Sequence, residues 1–144
     1  MAAPGGLRRH PRAAFEAILL ACRVEIALRR APFAAVLRQI DATAPTRRVT
    51  KPIPPQTFER AIALAYAVLP FRETCLKTSL VFLLHRRRRG LPGELRIGVQ
   101  RREDELDAHA WIEDGNGGVL TDPQSGFSSL PPVVEKRPAS EAND

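Results

Sequence analysis

Apolar positions recur every three or four residues through the first third of the chain. Phe15, Ile18, Leu19, Cys22 and Ile26 mark such a stripe within residues 13–30, and Arg29 and Arg30 follow it. That 3.6-residue period predicts an amphipathic helix. Pro32 interrupts it, and "FAAVLRQI" (33–40) predicts a shorter second helix. Pro45, Pro52, Pro54 and Pro55 crowd residues 42–56, so that stretch reads as a connection rather than regular helix. Thr57 then opens a third helix, "TFERAIALAYAVL", closed by Pro70. A fourth is predicted from about Glu73 to Arg89, stopped by Gly90 with Pro92 behind it. On this helix Leu76, Leu80, Leu83 and Leu84 form a stripe suited to packing on a sheet, with Cys75, Ser79 and Phe82 on its flank.

Beyond Gly90 the period changes from 3.6 to 2. "ELRIGVQ" (94–100) alternates Leu95, Ile97 and Val99 with polar partners, the pattern of a half-buried strand. "RREDELD" (101–107) reads as a charged connection. "AHAWIED" (108–114) and "GVLTD" (118–122) flank Gly115-Asn116-Gly117, a hairpin turn signal. After Pro123 the chain turns rich in Pro, Ser and Gly, and "EKRPASEAND" predicts a disordered tail. No internal repeat is evident. Helices followed by strands imply an α+β fold: an N-terminal helical subdomain, then a helix packed on a small antiparallel sheet. The expected boundaries are 1–56 for the helical region and proline-rich connection, 57–130 for the core and 131–144 for the tail, within a single domain.

Composition adds limits. A chain of 144 residues with 44% hydrophobic and 26% charged content can build one real core without disulfides. Its two cysteines, Cys22 and Cys75, have no metal-ligand spacing and suit a reducing compartment, so a cytoplasmic location is expected. The apolar stretch from Ala13 to Cys22 is short and holds Glu16, so neither a signal peptide nor a membrane span is expected. The net charge of +6 is concentrated at "HRRRRG" (85–90). Without interleaved aromatics this reads as a solvated helix end complementing the dipole, not as a nucleic-acid patch.

Candidate chemistry centres on Cys75, in the first turn of the fourth helix. Backbone N–H groups there lack intrahelical acceptors, and the positive end of the dipole favours a thiolate, with Arg72 just upstream adding to this. A cysteine in such a position is also compatible with simple core packing. Cysteine catalysis needs a base and a group to orient it. Of three histidines, His10 lies in a basic leader and His85 precedes four arginines, which leaves His109. A two-residue turn at Gly115-Asn116 would place His109 directly opposite Asp122. A turn at Asn116-Gly117 would set them diagonally on the same face, while a three-residue loop would separate them. His109, Trp111 and Glu113 share one face of the strand; Ala108, Ala110 and Ile112 share the other. A bare cross-strand polar pair is the plainer reading of His109 and Asp122. Together with Cys75 they read as a Cys-His-Asp triad, with the Cys75 amide as oxyanion donor. Cys22, on an apolar stripe, is expected in the core. Glu103, Asp104, Glu105 and Asp107 read as solvated charge; no metal site and no cofactor are expected.

The run "RETCLKTSLVFLLHRRRRGLPGELRIGVQ…AHAWIEDGNGGVLTD" resembles the transglutaminase-like cysteine peptidases of lasso-peptide biosynthesis, the stand-alone protease half of the maturation B protein. The matching positions are Cys75-Leu76, Ser79-Leu80, Glu94-Leu95, Ile97-Gly98-Val99, His109-Ala110-Trp111-Ile112-Glu113 and Asp122. The likeness is strong over residues 70–125, and only an outline before them; Lys77 stands where an arginine is more usual. The resemblance implies a transglutaminase-like or papain-like core with Cys75, His109 and Asp122 as triad, and Arg72, Ser79 and Trp111 near substrate or partner. It implies a ribosomally made precursor peptide as substrate, cut between leader and core to free an amine for a separate ATP-dependent cyclase. It also implies a small leader-binding partner protein, since the chain has no room for that domain. Transfer of the acyl group to an amine would use the same residues, and a basic adaptor with a structural Cys75 is the non-enzyme alternative.

Overall fold

The computed structural model describes residues 10–46, 53–116, 118–121 and the backbone of 128–129. Among the described residues, four helices precede a three-stranded sheet. Helix α1 spans Pro11–Arg30, with Pro11 at its first position, where a missing N–H costs nothing. Its buried face is Ala13, Ala17, Leu20, Ala21 and Val24. Phe15, Leu19 and Ile26, which the period marks as the packing stripe, are at least half exposed, and Cys22 is half-buried rather than core. The reason lies in shape. Alanines at 13, 17 and 21 let α1 lie close to α3 and α4, where larger side chains would hold it off.

Helix α2 covers Phe33–Asp41 and buries Val36, Leu37 and Ile40. Helix α3 covers Pro55–Val68 and starts two residues before Thr57, because Pro54 serves as the N-cap and Pro55 as the first helical residue. Helix α4 covers Cys75–Arg88. All of its residues from Ser79 to His85 are buried, because α4 packs against α1, α2 and α3 as well as the sheet. Its end is a Schellman motif: Leu91 N–H donates to Arg86 O and Gly90 N–H to Arg87 O, with Gly90 at φ +66°.

The arginine run that ends this helix is not simply solvated. Arg86–Arg89 are half-buried, Arg87 pairs with Asp41 at 3.1 Å, and Arg89 pairs with Glu16 at 2.8 Å. Glu16 also meets His85 Nδ1 at 2.9 Å, and the His85 ring stacks on Phe58 with centroids 3.6 Å apart. Burial opposes the Glu16 charge, yet hydrogen bonds from His85 and Arg89 hold its carboxyl down at about 2. Burial pushes the His85 imidazole below the usual histidine range, and Glu16 only partly offsets this.

Strand β1 (Glu94–Arg102) pairs antiparallel with β2 (Glu105–Glu113), from Glu94 opposite Glu113 to Arg102 opposite Glu105. The stretch expected as a connection is therefore the tip of a hairpin whose loop is Glu103-Asp104, with Glu103 at φ +50°. Both strands run past the core into solvent there, so charge replaces the alternation that would betray a strand. A short β3 (Ser128–Ser129) flanks β1 on its other side, giving the order β2-β1-β3. Leu95, Ala110 and Ile112 join the helices in one core, together with Leu80 and Leu83 of α4. The architecture is α+β, an N-terminal helical group and a central helix packed on a small antiparallel sheet. No helix of the described residues is long and apolar enough to cross a membrane. The expected tail at 131–144 lies outside the described residues.

Candidate active site

Thr74 sets where α4 begins. Its backbone is extended, at φ −134° and ψ 155°, and its Oγ1 accepts the Lys77 N–H at 3.2 Å. This N-cap makes Cys75 the first helical residue, so its own N–H and its neighbours' lack helical acceptors and point toward the thiol's end of the helix. Cys75 is half-buried and packs against the edge of the core.

His109 comes from the middle of β2, half-buried, opposite Gly98 on β1. The glycine leaves that part of the sheet face without a cross-strand side chain. The His109 and Trp111 rings lie with centroids 6.2 Å apart and planes 21° from parallel. Trp111 is 5% exposed, and its Nε1 donates to Glu113 Oε1 at 2.9 Å; Arg96 Nε donates to Glu113 Oε2 at 3.1 Å. The indole therefore packs beside the imidazole rather than offering a surface.

Cys75 and His109 line the same cleft, of about 310 Å³, together with Glu59, Glu73, Thr74, Thr78, Ser79, Ala110 and Thr121. Ser79 is buried within α4, one turn beyond Cys75. Arg72 is exposed and is not part of this lining. Glu59 and Thr121 carried no chemical signal in the sequence, since a glutamate on a helix and a threonine on a strand are ordinary. Only the packing of α3 and of the 118–121 segment onto the cleft gives them a place there.

The turn after β2 takes neither two-residue register. Glu113 bridges Val119, and Asp114 N–H donates to Gly118 O at 2.7 Å, so the pairing leaves three residues between Asp114 and Gly118. Asp114 Oδ1 accepts from the Asn116 and Gly118 N–H groups at 2.8 and 2.7 Å, an Asx-type turn that outweighs the Asn-Gly signal. A Cβ at Gly118 would stand 2.5 Å from Asp114 Oδ2, so a side chain there would push the Asp114 carboxylate out of this turn. Further on, Leu120 N–H and Thr121 N–H both reach Ile112 O, at 2.8 and 3.4 Å, the two-to-one pattern of a β-bulge. Thr121 Oγ1 accepts the Ile112 N–H at 2.9 Å. Asp122, the expected carboxylate, lies outside the described residues. Among those described, no group of three or more His, Cys, Asp or Glu comes together to hold a metal.

A thiol at a helix N-terminus and a strand-borne imidazole thus line one cleft of an α+β fold. The family profile of the transglutaminase-like superfamily matches residues 18–135, most of the chain, and the chain belongs to that superfamily. No curated protein and no solved structure gives a significant match.

Proposed function

We propose that the protein is a cysteine peptidase that removes the leader segment from a ribosomally made lasso precursor peptide. The observation that carries this reading is the single cleft lined by both Cys75 and His109. Superfamily membership and the motif likeness over 70–125 support it. In this reading His109 takes the Cys75 proton as Sγ attacks the scissile carbonyl carbon. Backbone N–H groups at the start of α4 hold the developing oxyanion. The C–N bond then breaks, and His109 returns the proton to the departing amine. Water, losing a proton to His109, hydrolyses the thioester, releasing the leader's carboxylate and restoring the thiol.

Asp122 is proposed as the carboxylate that orients His109. The bulge at Leu120-Thr121 supports it, since a bulge shifts side-chain alternation by one residue and so offsets the three-residue loop. A small leader-binding protein and the ATP-dependent cyclase are the proposed partners. The test combines precursor, leader-binding protein and enzyme and follows product masses. Wild type is expected to give free leader and free core. His109→Ala is expected to lose about a hundred- to ten-thousand-fold in rate.

A second reading, transfer of the leader acyl group to an amine, is favoured by one observation. Glu59 and Glu73 line the cleft, and carboxylates attract a cationic amine. Adding a small primary amine to the same assay separates the two: hydrolysis leaves the leader mass unchanged, and transfer raises it by the mass of the amine less one water.

A further inference from the structure

The segment that leads into Cys75 is tied to α1 by a chain of charged contacts. Glu25 of α1 is a buried carboxylate, its side chain only 8% exposed, between the helix that carries it and the first turn of α4. Its Oε2 stands 2.8 Å from Lys77 Nζ, and its Oε1 stands 3.3 Å from Arg29. Lys77 Nζ also donates to Arg72 O at 3.2 Å, in the segment that leads into Cys75. Arg29 in turn sits over the Phe71 ring, 5.3 Å from its centroid, one residue earlier in that segment. Both arms of the Glu25 carboxylate therefore end on residues 71–72, and one passes through Lys77, two positions after the thiol.

We propose that Glu25 and Lys77 are positioning residues that lock the 71–74 segment, and with it the first turn of α4, so that the Cys75 thiol stays aimed into the cleft. The proposal rests on Cys75 being the nucleophile. A buried ion pair is a poor source of net stability, because desolvation cancels most of its attraction and apolar residues of similar volume often do as well. What such a pair does supply is register. Here the register matters because Thr74, Cys75 and the cleft all follow directly from where residues 71–72 are anchored. Tyr66 of α3 shares the same surroundings. Burial, with Glu25, Glu73 and Cys22 nearby, pushes its phenol up. The clamp also explains why α1 and the cleft form one unit, since α1 supplies the anchor for a thiol 50 residues later in the chain.

The test uses the full chain with Cys22→Ser, which leaves Cys75 as the only thiol. Two variants are made in it: Lys77→Arg and the double variant Glu25→Met with Lys77→Met. Each is measured for melting temperature, for iodoacetamide alkylation of Cys75 at neutral pH, and for kcat and KM on the precursor peptide. Lys77→Arg is expected to behave as its parent. The double variant is expected to keep its melting temperature, yet alkylate about tenfold more slowly and lose about tenfold in kcat with KM little changed, the mark of a misplaced reacting group. A double variant that alkylates and turns over like its parent overturns the proposal. One that unfolds also overturns it, by assigning the pair to stability. Alkylation needs no substrate, so its failure is distinguishable from failure of the peptidase reading.

Discussion

Lys77 donates its backbone N–H to the Thr74 hydroxyl at 3.2 Å, and Cys75 sits inside the turn that this bond closes. Removing the acceptor frees one N–H and loosens the first turn of α4. Thr74→Ala is expected to cost about 1 kcal/mol, read as a melting temperature lower by about 3 °C, and Thr74→Ser to restore it. Alkylation of Cys75 should slow in the alanine variant and recover in the serine variant.

Thr121 has a comparable task on the other side of the cleft, where its hydroxyl accepts the buried Ile112 N–H at 2.9 Å. Thr121→Val keeps the shape and removes the acceptor, so a buried donor loses its partner. The expected cost is about 1–3 kcal/mol in denaturant unfolding, with a disturbed His109 resonance in NMR because Ala110 and Ile112 flank the same strand.

The His85–Glu16 pair makes stability depend on pH. The His85 imidazole titrates below its ordinary 6.5 because it is buried, so below that pH the unfolded chain binds protons that the folded chain refuses. Glu16, held at about 2 against an ordinary 4.5, adds stability above 4.5 that is lost as pH falls toward 2. Melting temperature is therefore expected to fall in two stages on acidification, first below about 6.5 and again below about 4.5. His85→Gln should abolish the first stage and shrink the second, since His85 is one of the two groups that hold the Glu16 carboxyl down.

Glu103 holds φ +50° at the tip of the β1–β2 hairpin, a region where a side chain crowds the backbone. Glu103→Gly removes that crowding without touching the cleft. It is expected to raise stability by about 0.5 kcal/mol or more in a denaturant titration, with turnover unchanged.

The sequence carried the helix positions, the stop at Gly90 and the place of Cys75, because those depend on local periodicity and capping. Its errors fall where local signals compete with packing. Phe15, Leu19 and Ile26 look like a core stripe, but the alanines opposite them make the closer helix contact. The charged 101–107 stretch hides a hairpin because its strands leave the core. Asn116-Gly117 signals a two-residue turn, but the Asp114 side chain closes a wider one. Within the cleft, Cys75 and His109 were legible from helix position and strand period. Glu59, Thr121 and the Glu25–Lys77 clamp were not, because each depends on a contact between elements distant in the chain.

The central claim is that Cys75 performs the bond-breaking step, and mass spectrometry of a precursor peptide tests it most directly. Precursor and its leader-binding protein are incubated with wild type or with Cys75→Ala, and leader and core masses are followed over time. The account predicts a single cut between leader and core with wild type, and none with a Cys75→Ala protein that still melts cooperatively. Undiminished cleavage by the alanine variant would contradict it.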